Sequence, residues 1–143
     1  MALLNRSGSD TRAMRAVARQ REKFTHDVKA GDHTFTVDEP VAAGGEDLGP
    51  SPQELLAAAL ASCTAVTIEM YAQRKGWDVS GLAVDVRYTP AERGCPTKFE
   101  LVTKMPAHLD QDQIDKLQVI AAKCPVHRTL EGEVMFEERV ELA

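Results

Sequence analysis

SPQELLAAALASCTAVTIEMYAQRKG, Ser51 to Gly76, is the stretch whose reading decides the fold. Ser51 suits an N-cap, Pro52 the first helical position, and Glu54 the third position of a capping box. The spacing predicts a helix to about Lys75, stopped by Gly76. Its first two-thirds are apolar or small on every side, and such a helix is expected to be buried on every side. Ala57, Ala58, Ala61 and Ser62 let other backbone approach closely. Cys63 lies mid-helix.

Upstream, residues 1–12 are polar with Ser and Gly and read as a loose tail, leaving 13–143 as a single domain. Met14 to Glu39 suits short strands. In His33–Asp38, Phe35 and Val37 alternate with polar residues, after a turn at Ala30-Gly31-Asp32. VAAGGEDLGPSP, Val41 to Pro52, is a loop. Its glycines lack the spacing of a phosphate-binding loop, and its carboxylates would repel phosphate.

Downstream, Leu82, Val84, Val86 and Tyr88 line one strand face, and Phe99 and Leu101 alternate with Lys98 and Glu100 in the next. TPAERGCP joins them as a hairpin loop that carries Cys95. Asp110 to Gln113 is a second capping-box start, followed by Ile114, Leu117 and Ala121 at helical spacing. A short helix begins at Cys124-Pro125, and Val134, Phe136 and Val140 share a face of a closing strand. The order predicts an α+β fold with helices on largely antiparallel sheet. So apolar a helix exceeds what one small domain can surround, which predicts a homodimer with a hydrophobic interface.

The 143 residues carry a net charge of −5 and no basic run, which argues against nucleic acid and anionic membrane as partners. The first ten residues lack the pattern of a secretory signal. The longest nearly uncharged stretch, Leu55–Ile68, falls short of the roughly 20 residues that span a bilayer. A cytoplasmic location is expected, and there three cysteines make no disulfide framework.

Each cysteine carries two readings. Cys63 is either a small buried hydrophobe, silenced by apolar surroundings, or a working thiol that needs a partner from elsewhere in the fold. Cys124 precedes Pro125 and is pushed out of the α region into an N-cap position. There backbone N–H groups favour an anion, and Arg128 lies one turn on; alternatively it merely replaces Ser in a cap. Local chemistry makes Cys124 the more acidic of the two. Cys95 has no assigned role. His127 stands at C-x-x-H spacing from Cys124, which permits metal ligation by Cys63, Cys124 and His127. Without a second close pair it also reads as a half-exposed helix histidine.

The helix PSPQELLAAALASCTAVTIEM, with its mid-helix cysteine, and the later CPV opening a short helix together resemble the OsmC/Ohr family of thiol-dependent hydroperoxide reductases. The order of strands and the GG…GPSP loop fit too, from about Met14 onward. The chain looks nearest a shorter OsmC-like branch.

The resemblance implies an intertwined α+β homodimer, with central buried helices wrapped by largely antiparallel sheets and the active site at the dimer interface. It assigns Cys63 as the cysteine that attacks peroxide and Cys124 as the resolving one. The attack gives a sulfenic acid, the second thiol closes a disulfide, and an external thiol or dithiol reductant restores both. That chemistry requires no metal, flavin or haem. Leu55, Leu56, Val66 and Ile68, if they reach the site, would favour organic hydroperoxides.

The family also uses an arginine from the N-terminal strands, for which Arg21 is the choice and Arg19 the second. A glutamate near the helix start orients it. Here Gln53 holds the family position and Glu54 follows, nine residues and half a turn from Cys63. That departure motivates the alternatives: a non-catalytic protein binding a small apolar ligand at the dimer interface, or a redox sensor.

Overall fold

A computed structural model describes residues 13–143. The expected tail, 1–12, lies outside the described residues. The chain forms two compact units that meet between Leu55 and Leu56, inside the first turn of the long helix.

The N-terminal unit is a three-stranded antiparallel sheet: β1 (Ala16–Glu22), β2 (Thr25–Ala30) and β3 (His33–Val37), in that order. The β2–β3 turn places Gly31 at φ +60°, a backbone conformation that glycine adopts without strain. Phe35 and Val37 do share a face, but only Val37 is buried.

The loop that follows is organised by one carboxylate. Asp38 is buried and accepts hydrogen bonds from the Thr25 hydroxyl and from the backbone N–H groups of Glu39, Glu46 and Leu48. A Cβ at Gly45 would lie 1.9 Å from the Glu39 carbonyl oxygen, and one at Gly49 2.1 Å from that of Thr36. These two glycines therefore permit close packing. The loop's N–H groups at 39, 46 and 48 already serve Asp38, so they do not cradle phosphate.

The long helix α1 runs Pro52–Lys75, with Gly76 at φ +71°. Its capping box forms as its sequence predicts: Ser51 Oγ accepts from Glu54 N at 3.1 Å, and Glu54 Oε1 accepts from Ser51 N at 3.2 Å. Within one chain the helix is not buried on every side. Only the stripe Leu60, Thr64, Ile68 and Ala72 is buried, while Val66 and Met70 are 45% and 61% exposed. These four recur at i, i+4 and define one face, which is all that a single layer of neighbours covers. The 24-residue helix also outruns the uncharged segment Leu55–Ile68, and by length and composition alone it could cross a bilayer.

In the second unit, Ile68 and Ala72 pack with Leu109 and Leu117, and Tyr71, Trp77, Val79 and Ile114 close around them. Burying Ile68 or Leu117 contributes about 1.5–3 kcal/mol each. β4 (Ala83–Thr89) and β5 (Lys98–Lys104) pair antiparallel, with Tyr88 opposite Phe99 and their rings stacked at 4.8 Å. The loop between them is pinched by paired backbone bonds between Glu92 and Cys95, with Gly94 at φ +81°. α2 (Gln111–Ala121) starts from a full capping box between Asp110 and Gln113. α3 (Pro125–Glu131) starts from Cys124 as N-cap, with Pro125 at the first position.

The expectation of a closing strand is corrected. Residues 133–143 form no regular structure, and Val134, Phe136 and Val140 are 55%, 80% and 89% exposed. A strand exists only through a ladder partner, and none is assigned to this segment among the described residues. The described fold is thus α+β with antiparallel strand pairing throughout.

Candidate active site

Cys63 and Cys124 are brought together from two helices. α1 carries Cys63 just outside its buried stripe, and the α2–α3 junction turns Cys124 inward, where it is fully buried. Pro125 causes that turn, because it bars Cys124 from helical geometry, and Cys124 adopts φ −57°, ψ 135°. The two sulfurs lie close enough for each to alter the other's ionisation, and both are free thiols.

The surroundings treat the two sulfurs differently. Burial pushes Cys63 up, and the neighbouring Cys124 sulfur adds to that; hydrogen bonds from Val126 N–H and Thr67 only partly offset it. Burial also opposes charge on Cys124. Hydrogen bonds from the Cys63 thiol, His127 N–H, the Thr64 hydroxyl and Val126 N–H outweigh it, so Cys124 lies below the usual thiol range. The His127 N to Cys124 Sγ distance is 3.4 Å. This is the direction that the N-cap position predicts.

Access is also unequal. Cys63 is half-buried and lines a shallow apolar groove of about 440 Å³ with Ala59, Val66, Met70, Pro125 and Val126. Val66 therefore reaches the site. Ile68, expected there, faces the core instead. Leu56 lines a separate cavity of about 550 Å³ with Leu60, Tyr88, Phe99, Leu101 and His127.

The other candidates have their own partners. Arg21 sits near the end of β1, where its guanidinium pairs with Asp27 and donates to Thr36 Oγ1 at 3.2 Å. The Glu54 carboxylate caps α1. Cys95 is exposed in its loop. His127 Nε2 lies 2.7 Å from Glu131 Oε1, and no group of three His, Cys, Asp or Glu among the described residues could hold a metal ion. Thr64 and Thr67 are contacts that the cysteine motifs do not announce. Thr67, one helical turn beyond Cys63, is legible from spacing. Thr64 carries no such signal.

Residues 44–139, about two-thirds of the chain, match the family model described as OsmC-like protein. This chain belongs to the OsmC/Ohr family. The OsmC fold is seen again in solved structures. The OsmC-like protein of Mycoplasma pneumoniae aligns with TM-score 0.71 at 19% identity, over 85% of this chain and 89% of that one. The organic hydroperoxide resistance protein of Elizabethkingia anophelis gives 0.64 at 21%, over 84% and 89%. OhrB of Bacillus subtilis gives 0.58 at 23%, over 84% and 91%. At these identities the likeness is one of fold. No curated protein matches the sequence. For an OsmC/Ohr protein, the adjoining Cys63 and Cys124 are consistent with a peroxidase that works through thiols.

Proposed function

We propose that this protein is a thiol-dependent peroxidase that reduces organic hydroperoxides, with Cys63 attacking and Cys124 resolving. The observation that carries the reading is the contact between the two thiols, with only Cys63 opening onto an apolar groove. A substrate with an apolar body fits that groove better than hydrogen peroxide does.

In the reaction, the Cys63 thiolate attacks the peroxide. A sulfenic acid forms and an alcohol leaves. Cys124 closes the disulfide, and an external thiol or dithiol reduces it by exchange. The working form is a homodimer in the cytoplasm. The exposed Val66 and Met70 on α1 and the unpaired segment 133–143 support a second copy as the covering surface. In that assembly Arg21 holds the Cys63 thiolate. Glu54 is the weaker assignment, since it is engaged as a cap.

Turnover of cumene hydroperoxide with a dithiol reductant, compared with hydrogen peroxide, tests the proposal. Preference for the organic substrate and loss of turnover in Cys63→Ser are expected. Equal turnover in that variant would sink the assignment.

A second reading has its own observation. The cavity of about 550 Å³ is walled by Leu56, Leu60, Tyr88, Phe99 and Leu101, large enough for a small apolar ligand. Retained ligand binding in a Cys63→Ala/Cys124→Ala double variant, with no peroxidase activity in the parent, would favour it.

A further inference from the structure

We propose that the cavity of about 550 Å³ lined by α1, the β4–β5 hairpin and α3 binds a small primary amine with an apolar body, and that Glu131 reads its ammonium head. The proposal rests on the second reading above, which takes this cavity as a ligand site, and it names the ligand's chemistry. No cysteine lines the cavity among the described residues, so the site stands apart from the peroxide chemistry.

Sequence periodicity builds the walls. Leu56 and Leu60 recur at i, i+4 on one face of α1. Phe99 and Leu101 share a face of β5, and Thr97, two residues before Phe99, continues it. His127, Leu130 and Glu131 stand at i, i+3 and i+4, one face of α3. The Tyr88 and Phe99 rings, stacked at 4.8 Å and 12°, add an aromatic wall.

The two ends of the cavity differ. Leu60 is 2% exposed and closes the inner end, while the Glu131 side chain is 68% exposed and marks the mouth. Leu101 and Leu130 are left partly open to water, and an apolar body in the cavity would cover them.

Charge selects the head group. Among the described residues neither lysine nor arginine lines the cavity. Arg87 and Lys98 alternate with Tyr88 and Phe99, so they belong to the other face of the hairpin. Glu131 is the carboxylate at the mouth. His127 Nε2, 2.7 Å from Oε1, fixes its position. The second carboxylate oxygen is left to accept. Glu131 is also the last residue of α3, where the helix dipole disfavours a carboxylate and favours a cation. An ammonium group answers both. It carries three donors and no acceptor, and aromatic faces attract it. An alcohol of the same length gains only a hydrogen bond, and a carboxylate is repelled.

The test is calorimetric titration of the full chain with hexylamine, hexanol and hexanoate at pH 8, where an ordinary histidine is neutral and an alkylamine charged. Hexylamine should bind about ten-fold more tightly than hexanol, and hexanoate more weakly than either. Glu131→Gln should bring hexylamine down to the affinity of hexanol and leave hexanol unchanged. Leu101→Trp should fill the cavity and remove both; if that variant does not fold, Leu130→Trp makes the same test from α3. Hexanol binding as tightly as hexylamine, or hexylamine unaffected by Glu131→Gln, overturns the amine proposal and leaves the cavity a site for apolar ligands. Binding that survives the tryptophan variants places the ligand elsewhere and overturns it too. No binding of any of the three, the result expected if a second copy fills the cavity, overturns the ligand-site reading along with the proposal.

Discussion

Cys63 on α1 and Cys124 at the N-cap of α3 are neighbours in space, sixty-one residues apart in sequence. The pair is asymmetric: Cys124 is fully buried and the more acidic, while Cys63 is half-buried, the less acidic, and open to a groove.

That asymmetry sets the pH response. Cys124 is depressed in the folded state, so it stabilises the fold above the unfolded thiol value, and this is lost as pH falls through its folded pKa. Cys63 is raised, so its contribution is present below the unfolded thiol value and is lost as pH rises through its folded pKa. In a Cys95→Ser background, thiolate absorbance of the pair should therefore appear in two steps on either side of the usual thiol range. The lower step should vanish in Cys124→Ser.

Removing one thiol at a time should separate the roles. Cys124→Ser should stop at a Cys63 sulfenic acid, which a carbon-nucleophile probe traps and mass spectrometry locates. Cys63→Ser should drop turnover to the uncatalysed level, because the resolving thiol is fully buried. Trapped sulfenic acid on Cys124 in the Cys63→Ser protein would reverse the assignment.

The helix starts were legible in the sequence because capping is local. Ser51 with Glu54, Asp110 with Gln113, and Cys124 with Pro125 each lie within four residues. The strand pairs were legible from alternation, as Tyr88 and Phe99 show. The Cys63–Cys124 contact was reached through family resemblance, since no local pattern links two helices. Thr64 stayed hidden because a buried threonine at i+1 from a cysteine has no signature. Val134, Phe136 and Val140 alternate like a strand and yet form none. Alternation reports the wish for a partner and does not supply one.

That unmet pattern gives a prediction about assembly. Val66→Glu and Met70→Glu place charge on the exposed apolar side of α1. If a second copy covers that side, each should raise the dimer dissociation constant by on the order of a hundred-fold. Light scattering after size exclusion reads it. Removal of residues 133–143 should act in the same direction. A wild-type protein that is monomeric at micromolar concentration would contradict the dimer.

Asp38 offers a test confined to the N-terminal unit. Asp38→Ala leaves the Thr25 hydroxyl and three backbone N–H groups without their acceptor. The loop 41–50 should become the first site of limited proteolysis, while Cys63–Cys124 oxidation persists. Burial opposes charge on Asp38, but its hydrogen bonds hold the pKa below the usual carboxylate range. Its stabilisation is therefore present above the unfolded aspartate value and is lost as pH falls through the folded one.

The core makes a simpler prediction. Leu117 is fully buried against Ile68 and Ala72, so Leu117→Ala should cost about 2–5 kcal/mol in urea unfolding. Val119→Ala, at 54% exposure on the same helix, should cost well under about 1 kcal/mol.

The most direct measurement is a peptide map of the fully reduced protein after brief exposure to one equivalent of cumene hydroperoxide, with remaining thiols blocked by alkylation. A rapid, stoichiometric Cys63–Cys124 disulfide with Cys95 alkylated is the predicted result. All three cysteines alkylated as in the untreated protein would contradict the account.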